Sequence, residues 1–118
     1  MMPEFTLMLR DTGEMFANLG PAEIQSTIAR YTAWFDRLAK TGTLKGSHKL
    51  RDRAGRVVRR RGTEVMVTDG PFAEGKEVLG GLFIIDAPSY ESAIATVNDC
   101  PHLDFGSIEV REIEIMRT

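Results

Sequence analysis

The sequence predicts an α+β fold, a ferredoxin-like β-α-β-β-α-β antiparallel sheet with an extra β-hairpin, spanning residues 1–118 as one domain. Three observations carry that expectation. Ile24, Ile28, Tyr31, Phe35 and Leu38 recur at steps of four, three, four and three, the stripe of an amphipathic helix. Leu82-Phe83-Ile84-Ile85, behind Gly80-Gly81, is the strongest strand run in the chain. Near the C-terminus Ile108, Val110, Ile113 and Ile115 almost alternate, as a half-buried strand does.

Taken in order, Phe5 to Leu9 is a buried first strand, ended by Asp11-Thr12-Gly13. Gly20-Pro21 opens the first helix, which stops at Thr41-Gly42 with Lys40 in its last turn. Thr43 to Leu50 reads as a second strand. Segments at Val57-Val58 and Glu64 to Thr68 form the extra hairpin, turning at Arg60-Arg61-Gly62. Val78 to Asp86 is the next strand. Ser89 is the expected N-cap of a second helix, with Tyr90, Ala93, Ile94 and Val97 on its inner face. Cys100-Pro101 ends that helix. The phase break at Glu112-Ile113 predicts a small bulge in a last strand running from Ser107 to Met116. Two helices cover one face of such a sheet. A second copy is the usual cover for an apolar opposite face, so a homodimer whose sheets enclose a cavity is expected.

Composition narrows the function classes. With 42% hydrophobic and 27% charged residues the chain is an ordinary globular domain. Its net charge of −2 argues against wholesale attraction to nucleic acid or anionic lipid. The single cysteine, Cys100, excludes an internal disulfide and suits the cytoplasm. No apolar run approaches the roughly 20 residues of a membrane span, and the N-terminus lacks the pattern of a signal peptide. No metal spacing and no Gly-rich phosphate loop is present, so neither a metal nor a cofactor is expected.

Val67-Thr68-Asp69-Gly70-Pro71-Phe72-Ala73-Glu74, then Lys76-Glu77 and Leu79-Gly80-Gly81, resembles the DGPF-type members of the YCII-related family. Cys100-Pro101-His102-Leu103, Gly106 and Ile108-Glu109-Val110-Arg111 resemble the same family's C-terminal signature, and Gly42 with Leu44 fits as well. The resemblance covers nearly the whole chain. It implies a ferredoxin-like protomer, a dimeric α+β barrel and a biochemical role that is largely unassigned. Better-known members carry a histidine on the first helix and an aspartate before the second proline, proposed as a catalytic pair. Here those positions hold Tyr31 and Cys100, a departure at both places.

Several residues are candidates for a site. Asp69 begins a turn in which Phe72 serves as an anchor, and its carboxylate could also act at a cavity mouth. Tyr31 belongs to the core stripe of the first helix, whereas Trp34 lies beside it, able to line a pocket or a dimer seam. His48, on the second strand, could point into the cavity; His102, after a helix end, reads as a cap or a surface residue. Cys100 reads as a small packing residue, with a nucleophile as the alternative. Residues 45–61 hold eight cations against Asp52 alone. Arg51, Arg53, Arg59 and Arg60 are therefore anion-site candidates, against the plainer reading of a charged edge hairpin. Three functions follow: a small-molecule-binding barrel with no assigned activity, a cofactor-independent enzyme using Asp69 and Tyr31, or an accessory module whose basic hairpin meets an anionic ligand or a partner.

Overall fold

A computed structural model of the chain describes residues 2–52, 54–70 and 76–116; Arg53, Pro71 and Phe72 lie outside the described residues. The elements are β1 (Glu4–Asp11), α1 (Pro21–Lys40), β2 (Leu44–Lys49), β3 (Arg56–Arg61), β4 (Glu64–Asp69), β5 (Val78–Asp86), α2 (Tyr90–Val97), a 3-10 turn (Pro101–Asp104) and β6 (Ser107–Glu112). Four strands form an antiparallel sheet in the order β2-β5-β1-β6, while β3 and β4 form a separate two-stranded sheet among the described residues. Removing that hairpin from the element order leaves the ferredoxin-like β-α-β-β-α-β pattern. The Cα radius of gyration is 16.6 Å, against about 13–14 Å for a compact chain of this length. The hairpin accounts for the excess by projecting as an arm.

Period-two geometry sets the two faces of the sheet. Phe5, Leu7 and Leu9 of β1 and Ile85 of β5 are buried under the helices, against Trp34, Leu38, Ala93, Val97 and Cys100. Met8, Leu82 and His48 align across β1, β5 and β2, and Thr6 aligns with Ile84, so these side chains share the other face. The helix starts are as the sequence suggests. The Gly20 amide donates to Glu23 Oε1 at 3.3 Å, and the Ser92 amide donates to the Ser89 hydroxyl at 3.2 Å.

Three expectations need correction. On α1 the buried residues are Thr27, Trp34 and Leu38, while Ile28 is exposed and Tyr31 and Phe35 are half-buried. The apolar stripe is wide because one flank packs in the core and the other walls a cavity. Trp34, 3% exposed and edge-on to Phe83 at 5.4 Å, is therefore a core residue. On α2 only Ala93 and Val97 are buried; Tyr90 and Ile94 flank a helix of barely two turns. Finally, β6 ends at Glu112 without a bulge, pairing in continuous register from Arg10–Ser107 to Phe5–Glu112. The irregularities lie elsewhere, opposite Leu9/Arg10 on β5 and between Leu44 and Gly46 on β2.

Candidate functional site

The widened stripe of α1 faces a cavity of about 740 Å³, within the usual range for small-molecule sites. Ile28, Tyr31, Thr32 and Phe35 form its helical wall, and Leu9, Ser47, Lys49 and Phe83 its sheet wall. The β1–α1 connection, with Met15 and Phe16, closes one side. Most of this lining is apolar and aromatic. Among its polar residues Tyr31, His102 and Asp11 meet in one cluster, while Glu14, Ser47, Lys49 and Asp52 border the cavity elsewhere.

Tyr31 and His102 come from opposite ends of the chain, yet the Tyr31 hydroxyl lies 2.8 Å from His102 Nδ1. His102 Nε2 lies 2.8 Å from the Arg10 carbonyl oxygen and 3.8 Å from Asp11 Oδ2. A carbonyl only accepts, so Nε2 carries the proton and donates to it. In the neutral ring Nδ1 then presents a lone pair, into which the Tyr31 O–H donates. Asp11 is itself fixed, its Oδ1 accepting the Gly13 amide at 2.6 Å. Burial, followed by the charges of Cys100 and Asp11, pushes the Tyr31 hydroxyl above the ordinary tyrosine range, so it stays neutral.

Local structure explains why the imidazole is held there. Cys100 takes the extended backbone favoured before proline, and Pro101 starts the 3-10 turn at its first position. That turn presents His102 inward, 2% exposed. Two ion pairs tie this region to the helix bearing Tyr31: Arg30–Asp104 at 2.9 Å and Arg37–Asp99 at 2.6 Å. Both are exposed and worth little individually, but they bracket the Tyr31–His102 contact.

The other candidates fall elsewhere. His102 is neither a cap nor a surface residue, because its ring is buried between Tyr31 and Arg10. Asp69 sits at the end of β4 on the arm, 81% exposed and paired with Arg56 at 3.3 Å, so it is not the partner of Tyr31. Cys100 is a core residue whose thiol is pushed up mainly by burial. His48 borders the cavity, but its position in β2, between Ser47 and Lys49, turns its ring to the other sheet face. Arg51 lines a separate depression of about 190 Å³, while Arg59 and Arg60 stand exposed on the arm. Among the described residues no three His, Cys, Asp or Glu side chains converge as metal ligands.

Asp11 is the residue that sequence reasoning missed. It follows Phe5, Leu7 and Leu9 at the same two-residue step, which marks it as a carboxylate on the core face rather than a mere strand end.

Comparison with known proteins agrees with this fold. A 5-chloro-2-hydroxyhydroquinone dehydrochlorinase from Burkholderia phenoliruptrix AC1100, solved in complex with 2,5-dihydroxybenzoquinone, superposes with a TM-score of 0.50. The alignment covers 94% of this chain and 93% of that one at 16% identity, a likeness of fold, that of the dimeric α+β barrels. An uncharacterised protein of Rhizobium meliloti (strain 1021) is 36% identical over 66 residues, which are 54% of this chain and 53% of that protein. The chain thus spans about half the length of that relative in the match. The profile of the YCII-related domain matches residues 5–117, and the chain belongs to that family.

Proposed function

We propose that the protein binds a small, largely apolar, ring-sized molecule between α1 and the sheet and moves a proton on it through Tyr31 and His102, with no cofactor. The observation that carries this reading is the 2.8 Å contact of the Tyr31 hydroxyl with His102 Nδ1 at the wall of an aromatic-lined cavity. With its own proton committed to His102, Tyr31 offers oxygen lone pairs to the ligand. A ligand O–H or acidified C–H gives its proton to that oxygen while the Tyr31 proton passes to Nδ1. The resulting imidazolium keeps its Nε2–H on the Arg10 carbonyl, with the Asp11 carboxylate 3.8 Å away. The reverse transfer returns the proton to another atom of the ligand and restores the pair.

The working unit in this reading is a cytoplasmic homodimer. Support comes from the uncovered sheet face, whose half-buried centre is Met8, Leu82 and Ile84 with the Arg10–Glu109 ion pair beside it. No helix among the described residues is long and apolar enough to cross a membrane.

Two measurements test the reading. Calorimetric titration with hydroquinone and 4-nitrophenol should show binding that weakens in Phe83→Ala. Incubation with 2-cyclohexenone in D2O, followed by NMR, should show exchange of the proton next to the carbonyl by the wild type and not by Tyr31→Phe. Undiminished exchange by Tyr31→Phe sinks the proton role; absence of binding sinks the site.

A further inference from the structure

Among the described residues the β3–β4 arm pairs with no other strand of its own chain. Cross-strand register puts Val58, Val67, Val65 and Arg60 on one face, and the three valines are 63%, 59% and 57% exposed. An isolated two-stranded hairpin is marginal in water. The arm and its approach are also strongly basic. Residues 49–61 carry seven cations and one acid, leaving eight cations against sixteen acids in the rest of the chain.

A matching surface lies at the far end of the sheet. There Pro3, Glu4, Glu112, Ile113, Glu114 and Ile115 line a groove of about 830 Å³. Ile115 is 73% exposed. Glu4, Glu112 and Glu114 form no ion pair among the described residues, whereas Asp86 in the same groove is held by Lys45 at 3.2 Å. The groove is therefore apolar with spare negative charge; the arm face is apolar with spare positive charge. One chain cannot bring them together. The arm leaves the sheet after β2 and returns at the start of β5, whereas the groove sits where β1 begins and β5 ends. The nine residues of β5 separate the two by about 30 Å.

We infer that the β3–β4 arm of one copy seats in the Glu112–Ile115 groove of a second copy, the contact being made twice about a two-fold axis. A two-fold axis lying across the strands sets the arm end of each sheet beside the groove end of the other, and the exchange closes at two copies.

Charge reversal tests it, because each defect can be repaired in a partner. Sedimentation velocity at micromolar concentration would compare the wild type, an arm variant (Arg60→Glu) and a groove variant (Glu112→Arg/Glu114→Arg). All the altered side chains are exposed, and circular dichroism checks that both variants fold. The wild type should be a dimer, and each variant alone should dissociate at least about tenfold more readily. Mixed together they should form a heterodimer of near wild-type strength, because each reversed surface then meets its complement. A monomeric wild type overturns the inference, and so does a pair of variants that dimerise normally, which would leave the homodimer to the uncovered sheet face alone. A mixture that stays monomeric also overturns it. Open-ended association overturns the two-fold closure.

Discussion

Gly106 is packed so closely against Arg10 that a Cβ on it would collide with the Arg10 carbonyl oxygen, the atom that accepts the His102 Nε2–H. The Gly106 amide in turn donates to the His102 carbonyl at 3.0 Å. One backbone contact thus sets the inner end of the Tyr31–His102 pair. Gly106→Ala must push β1 and the 3-10 turn apart, since the obstacle is backbone and cannot rotate away. Urea denaturation should show a loss of about 2–4 kcal/mol, with phenol binding weakened as well. A loss below about 0.5 kcal/mol would mean the strand shifts freely and does not fix His102.

Tyr31→Phe removes a hydroxyl whose pKa the fold raises, so its signature lies in alkali. Below pH 10 the hydroxyl is protonated in both folded and unfolded chains, and the variant should lose only the hydrogen bond, about 1 kcal/mol. Above the ordinary tyrosine value of 10.0 the unfolded chain ionises while the folded chain holds its proton. Wild-type stability should then fall with rising pH by up to about 1.4 kcal/mol per unit from this residue alone. The wild-type and Tyr31→Phe stability curves should therefore converge between pH 10 and 11. Curves that stay parallel would place Tyr31 in solvent-like surroundings.

Trp34 buries an indole Nε1–H that has no hydrogen-bond partner among the described residues, which gives an unusual expectation for a core aromatic. Trp34→Phe loses packing volume but also removes an unsatisfied donor, terms of about 1–3 kcal/mol each and opposite in sign. Its net cost in chemical denaturation should stay below about 1.5 kcal/mol. Leu7→Ala, at a fully buried position on β1, should cost about 2–5 kcal/mol. A Trp34→Phe cost equal to that of Leu7→Ala would imply a partner for the indole.

These cases show why the fold was more legible than the site. Element order follows from local periodicity, and Phe5–Leu9, Pro21–Lys40 and Val78–Asp86 each state theirs within a few residues. The Tyr31–His102 contact joins positions 71 apart and depends on how α1 rotates over the sheet, which no local pattern specifies. Even the stripe on α1 misled, because Ile28 and Phe35 are apolar for the sake of a cavity wall rather than a core. Asp11, a carboxylate in phase with three buried apolar residues, carried a local signal but was read only as the end of the strand.

Asp69 and Gly70, neighbours in one motif, should behave oppositely. The Asp69 carboxylate is solvent-exposed, and its pairing with Arg56 at 3.3 Å is the kind of surface contact that contributes little. Asp69→Asn should therefore change stability by less than about 0.5 kcal/mol and leave hydroquinone binding in the cavity unaltered. Gly70 is buried with φ of 151°, and its amide donates to the Gly55 carbonyl at 3.4 Å, closing the base of the arm. A side chain is strained in that conformation, so Gly70→Ala should cost about 1–3 kcal/mol. The cost should appear first as faster amide hydrogen exchange in β3 and β4, while exchange in β1 and β5 is unchanged. Loss of cavity binding in Asp69→Asn, with the fold intact, would return the carboxylate to the site; protection of the arm in Gly70→Ala would show that its base is held by something other than this glycine.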